Sequence, residues 1–120
     1  MTLVHAGGPE AFIDIVVHEE WAPIGADRFL KLVDDNYFDG CPLYRFIPEF
    51  IVQWGIPTDA AKWKKWGENK VTDDPVKMGN KKGFLSFATS GPSAHYDART
   101  PRTRARTPTA HATHGPAAFA

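Results

Sequence analysis

The chain has 120 residues, 14 basic and 14 acidic side chains, one cysteine, ten prolines and ten glycines. This length predicts one domain, the proline and glycine content excludes a helical bundle, and one cysteine excludes an internal disulfide bond or a cysteine-based metal cage. The sequence shows no secretory signal and no apolar run of roughly 20 residues, so we expect a cytoplasmic protein without a membrane span.

The zero net charge hides two chemically different segments. Residues 1–92 hold 10 basic and 13 acidic residues, whereas residues 93–120 hold four arginines and one aspartate. The second segment has no Leu, Ile, Val, Met or Trp. Its Thr, Arg, Ala and Pro composition cannot bury a core. We therefore predict a folded domain at residues 1–92 and a disordered low-complexity tail at residues 93–120.

The first elements in chain order are a hairpin and a helix. MTLVH and AFIDIVV are strand-like, and AGGP between them is typical of a turn. Pro23 suits the first turn of a helix, where its missing N–H costs nothing. An apolar stripe follows at i, i+3, i+4 and i+7: Ala26, Phe29, Leu30 and Val33. This spacing predicts an amphipathic helix from Pro23 to Asp35.

Strands and polar turns fill the rest of the first segment. Asp39-Gly40 predicts a turn, and the strand after it runs to Ile47, because Pro48 cannot donate to a ladder. FIVQWG and GFLSFA predict two further strands. Residues 56–82 between them are polar and predict a long loop or several short turns. This order of elements predicts an α+β fold.

Three segments resemble, in order, the signature blocks of the cyclophilins, which are peptidyl-prolyl cis–trans isomerases. They are APIGADRFLKLV, YRFIPEFIVQWG and GFLSFATSGP. The resemblance covers residues 1–92 and about the first two thirds of a cyclophilin domain. It implies a mainly β fold with helix, namely an incomplete antiparallel β-barrel that retains one capping helix. The family's next strand, Asn-x-x-x-x-Gln-Phe-Phe-Ile, does not follow Pro92, nor do the second helix and the final strands.

The resemblance also implies an active site. Arg45 matches the catalytic arginine, Phe50 the floor of the proline pocket, and Gln53 the glutamine that hydrogen-bonds the substrate backbone. Three further positions are implied to contact the peptide: Ile51, Ala88 and Thr89. No cofactor or metal is implied.

The reaction explains why these residue types are suitable. Rotation about an Xaa-Pro bond faces a barrier of about 20 kcal/mol that amide resonance sets, and no nucleophile is needed to lower it. A guanidinium aimed at the prolyl nitrogen binds the twisted state better than the planar one. An apolar floor grips the proline ring while an amide side chain holds the backbone. The implied function is isomerisation of Xaa-Pro bonds in flexible or folding polypeptides, by non-covalent transition-state stabilisation.

Departures from the family pattern leave alternatives open. Tyr44 replaces a usual histidine, Glu49 replaces the turn glycine, and Trp54 replaces the first glycine after the glutamine. In the family, a segment beyond Pro92 also supplies a wall of the proline pocket. Its absence and these departures leave two other interpretations open. The chain is then either a catalytically weak module that binds proline peptides or a non-functional truncated fragment.

Lysine, arginine and histidine patterns carry weaker signals. KWKKW is compatible with nucleic-acid or membrane binding, but a solvated loop with aromatic anchors explains it. Four arginines in a disordered tail would bind RNA weakly, and the five histidines have no ligand spacing. We expect proline-containing peptides or proteins as partners, no nucleic acid, no membrane, no metal and a monomeric state.

The abrupt change of composition near Pro92 suggests an origin for the tail. Ala, Arg, Pro, Thr and Gly are the residues that a G+C-rich message encodes when it is read in a wrong frame. We hypothesise a shifted or mis-spliced reading. Sequencing the transcript across the codons for residues 90–95 tests this, and a message that encodes the tail without a shift would remove the hypothesis.

Overall fold

The computed structural model describes residues 2–3, 11–89, 95–103 and 117–119. The elements in this part of the chain are β1 (Thr2–Leu3), β2 (Ala11–Phe12), β3 (Ile15–Val17), α1 (Pro23–Asp34), β4 (Arg45–Ile47), β5 (Ile51–Gln53), α2 (Ala60–Gly67), β6 (Val71–Thr72), β7 (Phe84–Thr89), β8 (His95–Thr103) and β9 (Ala117–Phe119).

Seven of these strands form one open sheet. Its order is β3-β9-β7-β8-β5-β4, and β6 pairs with β8 beside this path. β9 runs parallel to β3 and β7, whereas the other pairs within this sheet are antiparallel. Because β3 and β4 lie at opposite ends of the order, the described strands do not close a barrel. The sheet is therefore mainly antiparallel and incomplete, as expected, with β9 as a parallel addition.

The predicted amino-terminal hairpin is confirmed at its ends. β1 pairs antiparallel with β2, and Thr2 lies opposite Phe12. The predicted turn lies outside the described residues. The segment AFIDIVV divides into β2 and β3, because β3 leaves the hairpin and joins the larger sheet.

The tail that composition predicts to be disordered contributes β8 and β9. β8 lies between β5 and β7 and pairs with both. Backbone pairing needs no apolar side chain, and the N–H and C=O groups along a strand edge need partners. For residues 93–94, 104–116 and 120, which lie outside the described part, disorder stays a prediction.

Helix α1 confirms the predicted helix and buries Ala26 and Phe29 of the predicted stripe, but the rest of its buried face is rotated toward Leu32. Leu32 is fully buried, whereas Leu30 and Val33 are 39% and 46% exposed. These two side chains line a groove of about 360 Å³ between α1 and β3, with Ile15 and Val17 on its other side. The helix therefore packs with its Leu32 side on the sheet and leaves the groove open.

The core lies between α1 and the sheet. Its buried members are Phe29, Leu32, Tyr37, Trp54, Leu85 and Phe87. Trp54, which stands where the family has a glycine, is 3% exposed and belongs to this cluster. Burial of these side chains is the main stabilising contribution that the described residues show.

The amino terminus of α1 takes its cap from a distant residue. Ala22 stands at the N-cap and supplies no side-chain hydrogen bond. Asp74, itself buried, accepts hydrogen bonds from the backbone N–H of Ile24 at 3.1 Å and of Gly25 at 2.8 Å. A carboxylate at this end also complements the helix dipole. The sequence signal for such a distant cap is the alanine at position 22, whose side chain cannot accept a hydrogen bond.

We expect Asp74→Ala to lower the free energy of unfolding by about 1–3 kcal/mol, because two N–H groups lose a charged acceptor. Urea denaturation followed by circular dichroism measures this. Asp73→Ala is the matched control, since the Oδ1 atom of Asp73 is buried without a hydrogen-bond partner among the described residues. Equal losses in both variants would contradict the capping role.

Helix α2 corrects the prediction of a loop at residues 56–82, and it adds a second helix to the one expected. Asp59 is its N-cap and accepts hydrogen bonds from the N–H groups of Ala61 and Lys62. The sequence carried this capping signal, but the helix is short and polar, with no buried residue, so apolar periodicity did not show it.

Trp66 anchors α2 against α1. Its indole N–H donates to Asp35 Oδ2 at 2.6 Å, and Lys65 Nζ binds the same oxygen at 3.0 Å. The Arg28 guanidinium lies 4.9 Å from the Trp66 ring centroid and donates to the carbonyl oxygen of Asn69. Burial lowers the pKa of Arg28, while the hydrogen bond from Trp66, followed by that from Lys65, lowers the pKa of Asp35.

The contact between Asp35 and Trp66 should weaken in acid. The pKa of Asp35 in the folded protein lies below its ordinary value of 3.8. The ionised carboxylate therefore contributes to stability above pH 3.8, and this contribution is lost as the pH falls through the folded pKa. ¹⁹F NMR of fluorotryptophan-labelled protein should show the Trp66 resonance moving below about pH 4. Asp35→Asn keeps an acceptor and removes the titration, so its Trp66 resonance should stay constant over the same range.

Candidate functional site

The hairpin β4–β5 brings Arg45 and Gln53 together. They are directly opposite in the strand register, and Arg45 Nη1 donates to Gln53 Oε1 at 2.7 Å. Arg45 is exposed, whereas Gln53 is 8% exposed. The amide oxygen must face the arginine, since the amide nitrogen and the guanidinium are both donors. One terminal nitrogen of the guanidinium is thus held by a nearly buried side chain.

Glu49 lies at a strained position in the turn of this hairpin. The Phe50 N–H donates to the Ile47 carbonyl at 3.1 Å, which places Pro48 and Glu49 at the two central turn positions. Glu49 has a φ of 60°. Proline followed by a residue with positive φ is typical of a type II turn, which favours glycine at the second position. Glutamate fits here only with backbone strain.

We expect Glu49→Gly to raise the free energy of unfolding by about 0.5–1 kcal/mol. Removing the side chain relieves roughly 1–2 kcal/mol of left-handed strain, and the greater freedom of glycine in the unfolded chain offsets part of it. Thermal and urea denaturation measure the change. Glu49→Ala removes the carboxylate but keeps the strained side-chain position, so stabilisation by alanine as large as that by glycine would contradict this explanation.

Phe50 closes the turn of this hairpin, and Ile51 is the first residue of β5. Phe50 is 50% exposed and Ile51 is 6% exposed. Ile51 and Gln53 share one face of β5, in agreement with the alternation of side chains along a strand. The hairpin therefore presents a half-exposed aromatic ring, a buried aliphatic side chain and an arginine–glutamine pair in sequence.

Ala88 lies on β7, separated from β5 by β8. Arg102 of β8 is level with both Gln53 and Ser86, and Ala88 is two residues farther along β7. Since neighbouring strands lie about 4.8 Å apart and residues rise about 3.3 Å, Ala88 lies roughly 12 Å from Gln53. An extended peptide spans that distance with about four residues.

The backbone of Ala88 and Thr89 already pairs with β8. Their register partners are Asp97 and Tyr96. β9 contacts the other edge of β7 only at Phe84 and Leu85. A peptide that binds the backbone of Ala88 and Thr89 must therefore use this other edge or displace β8.

Other candidate groups have structural partners. Lys62 donates to the carbonyl of Asn36 at 2.7 Å, and Lys65 binds Asp35, so two lysines of KWKKW hold α2 in place. This favours the interpretation of aromatic anchors for that segment. Cys41 is half-buried, and burial raises the pKa of its thiol, which makes it a poor nucleophile. No group of three or more potential metal ligands occurs in the described ranges.

Sequence reasoning found the hairpin residues but not Arg28 or Asp74, the two buried charged side chains that join α1 to later segments. Both side chains contribute to the packing of α1 rather than to the candidate site on the hairpin. Neither described helix is long and apolar enough to cross a membrane.

Comparison with known proteins gives a consistent result. The family model described as cyclophilin type peptidyl-prolyl cis-trans isomerase/CLD matches residues 3–100. The chain is 33% identical over 88 residues to peptidyl-prolyl cis-trans isomerase-like 3 of Mus musculus, covering 69% of this chain and 53% of that protein. It is 30% identical over 84 residues to peptidyl-prolyl cis-trans isomerase ppi1 of Schizosaccharomyces pombe, covering 68% and 54%.

A third relative, the spliceosome-associated protein CWC27 homolog of Danio rerio, is 31% identical over 87 residues, covering 67% of this chain and 18% of that protein. The chain thus spans about half the length of the two isomerases above and less of longer relatives. No solved structure matches the chain.

Proposed function

Because the chain belongs to the cyclophilin-type peptidyl-prolyl cis-trans isomerase family, we propose that it isomerises Xaa-Pro bonds in flexible or folding polypeptides. The observation that carries this proposal is the hydrogen bond between Arg45 and Gln53 at 2.7 Å, on the hairpin that bears the family motif. Proline-containing peptides or proteins are its proposed partners. Monomeric state and cytoplasmic location stay predictions.

The proposed transition-state interaction uses two hairpin residues, Arg45 and Gln53. Gln53 Oε1 holds one N–H group of Arg45, and the remaining N–H groups of the guanidinium can point at the prolyl nitrogen of a bound peptide. As the peptide bond twists, that nitrogen gains a lone pair, and its attraction to the cation increases. The interaction is therefore stronger in the transition state than in either planar isomer, which is the condition for catalysis.

Phe50 and the amide of Gln53 have positioning roles in this proposal. The half-exposed ring of Phe50 offers an apolar contact for the proline ring. The Gln53 amide nitrogen keeps two donors for the carbonyl groups of the peptide, because only the oxygen faces Arg45. Ile51 is proposed to contact the peptide, and Ala88 and Thr89 are proposed to supply backbone groups to its far end.

A weaker proline-peptide binding module is the second candidate. The sheet of described residues is open, and Phe46 on its edge strand β4 is 61% exposed. Within the described hairpin, one side of the Phe50 ring has no pocket wall opposite it. The loss of one pocket wall weakens peptide binding less than it weakens the selective stabilisation of the twisted Xaa-Pro bond.

A protease-coupled assay with a proline peptide tests the proposal on the full chain. Acceleration of cis-to-trans conversion in proportion to protein concentration supports an isomerase. Shifts of the Arg45 and Gln53 side-chain resonances with the same peptide, without acceleration, would support the binding module instead. Poor amide dispersion without peptide would remove both and favour the non-functional fragment.

A further inference from the structure

The C-terminal half of β8 is an unsuitable occupant of the position that it fills. β8 lies between β5 and β7, at the centre of the sheet. Leu85 and Phe87 on β7 are 0% and 4% exposed and belong to the core. The residues of β8 level with them are Thr103 and Pro101. Two polar residues and a proline of β8 thus pair with a strand that contributes two residues to the core.

Pro101 weakens this pairing because it has no N–H to donate. Proline in sheets is confined to edge strands, strand ends and bulges, since elsewhere a ladder hydrogen bond is lost. β8 pairs on both sides near this point, with β7 through Leu85 and Ser86 and with β5 through Val52 and Gln53. Pro101 therefore lies next to a bulge, at the start of a short two-sided pairing that continues through Arg102 and Thr103.

A bulge divides β8 immediately before this proline. The register to β7 steps from Pro101 opposite Phe87 to Asp97 opposite Ala88, so three residues of β8 are inserted at one step of β7. The first half, which includes Tyr96 and Asp97, pairs with β6 and β7. A bulge interrupts the ladder, so one half of the strand can separate without the other.

We propose that residues 101–103 are a displaceable occupant of the position between β5 and β7, and that this position accepts an extended apolar strand from another polypeptide. The incoming strand would alternate apolar and polar residues. Apolar residues level with Leu85 and Phe87 would join the core, and each residue would supply the N–H that Pro101 lacks. The expected partner is an unfolded or exposed β-strand segment without proline, which differs from the proposed isomerase substrate.

The competing sites for such a strand are the sheet edges β3 and β4, the two-residue strand β6, and the edge of β7 at Ala88 and Thr89. β4 has three residues, contains Arg45 and is followed by Pro48, and each of these features discourages edge pairing. β3 also has three residues, and Asp14 and Glu19 flank it. The central position offers two strands to pair with instead of one, so exchange there gains more than addition at an edge.

Amide exchange on the ¹⁵N-labelled full chain tests the proposal. The probe is a seven-residue peptide with Val or Ile at alternate positions, Lys at both ends and blocked termini. We expect the amides of Arg102 and Thr103 to lose protection at saturating peptide, while those of Tyr96 and Asp97 in the first half of β8 keep theirs. The same peptide with proline at its centre is the control and should bind at least about tenfold more weakly, for the reason that applies to Pro101.

A change in the chain itself gives an independent readout. Pro101→Val restores the missing N–H and favours the strand, so it should weaken peptide binding by about tenfold. Unchanged protection of Arg102 and Thr103 would overturn the proposal, as would shifts confined to β3 or β4, or equal binding of both peptides. No isomerisation is measured, so failure of the isomerase proposal leaves these outcomes interpretable.

Discussion

Replacing Arg45 with alanine is expected to lower kcat/KM for prolyl isomerisation about 100- to 1,000-fold, the usual effect of removing one preorganised donor from a transition state. The expectation rests on the fixed position of the guanidinium, which Gln53 holds at 2.7 Å. The protease-coupled assay measures the loss. Because Arg45 is exposed, its removal should cost little stability, and the melting temperature should change by only a few degrees.

Arg45→Lys is the matched control for charge. Lysine keeps the positive charge but lacks the planar guanidinium. Only the guanidinium can bind Gln53 with one N–H group and face the peptide with another. We expect it to recover only a small part of the activity. Full activity in Arg45→Ala, with unchanged peptide affinity, would show that Arg45 has no role in the reaction. Full activity in Arg45→Lys would show that charge alone suffices.

Removing β8 is expected to have the largest effect on stability. A chain that ends at residue 94 leaves β5 and β7 without the strand that pairs with both, and it also loses the partner of β6. We expect a loss of about 3–5 kcal/mol, a large share of the 5–15 kcal/mol that is typical of a domain. Thermal denaturation and the amide exchange of Leu85 and Val52 measure it.

A chain that ends at residue 103 is the matched control for this deletion. It keeps β8 and removes β9, which pairs with β3 and β7 over only a few residues. We expect it to retain most of the stability. If chains ending at residues 94 and 103 melt like the full chain, the strand contributes nothing, and the composition-based prediction of a disordered tail describes the protein better.

Local patterns predicted the elements that depend on local chemistry. Pro23 and the apolar spacing after it located α1, and Pro48 located the end of β4. The family motif pointed to Arg45 and Gln53, and the strand register brings them together. Their roles in the reaction stay predictions until variants are measured.

Elements that depend on distant partners were not predictable from such patterns. The rotation of α1 about its axis follows from where the sheet lies, so Leu32 rather than Leu30 faces the core. α2 has no buried residue and is held by Asp35 and Asn36, some 30 residues earlier in the chain. β8 forms through backbone pairing with β5 and β7, to which side-chain composition gives no guide.

The ties that hold α1 have a consequence for the order of events during synthesis. Asp74 caps its first turn across 49 and 50 residues of sequence, and Arg28 reaches Asn69 across 41. A helix of 12 residues is marginal in isolation. At about 5–20 residues per second, the ribosome needs roughly 2–10 seconds to add the residues that complete these contacts. During that interval the nascent helix has no cap from Asp74 and remains accessible to chaperones.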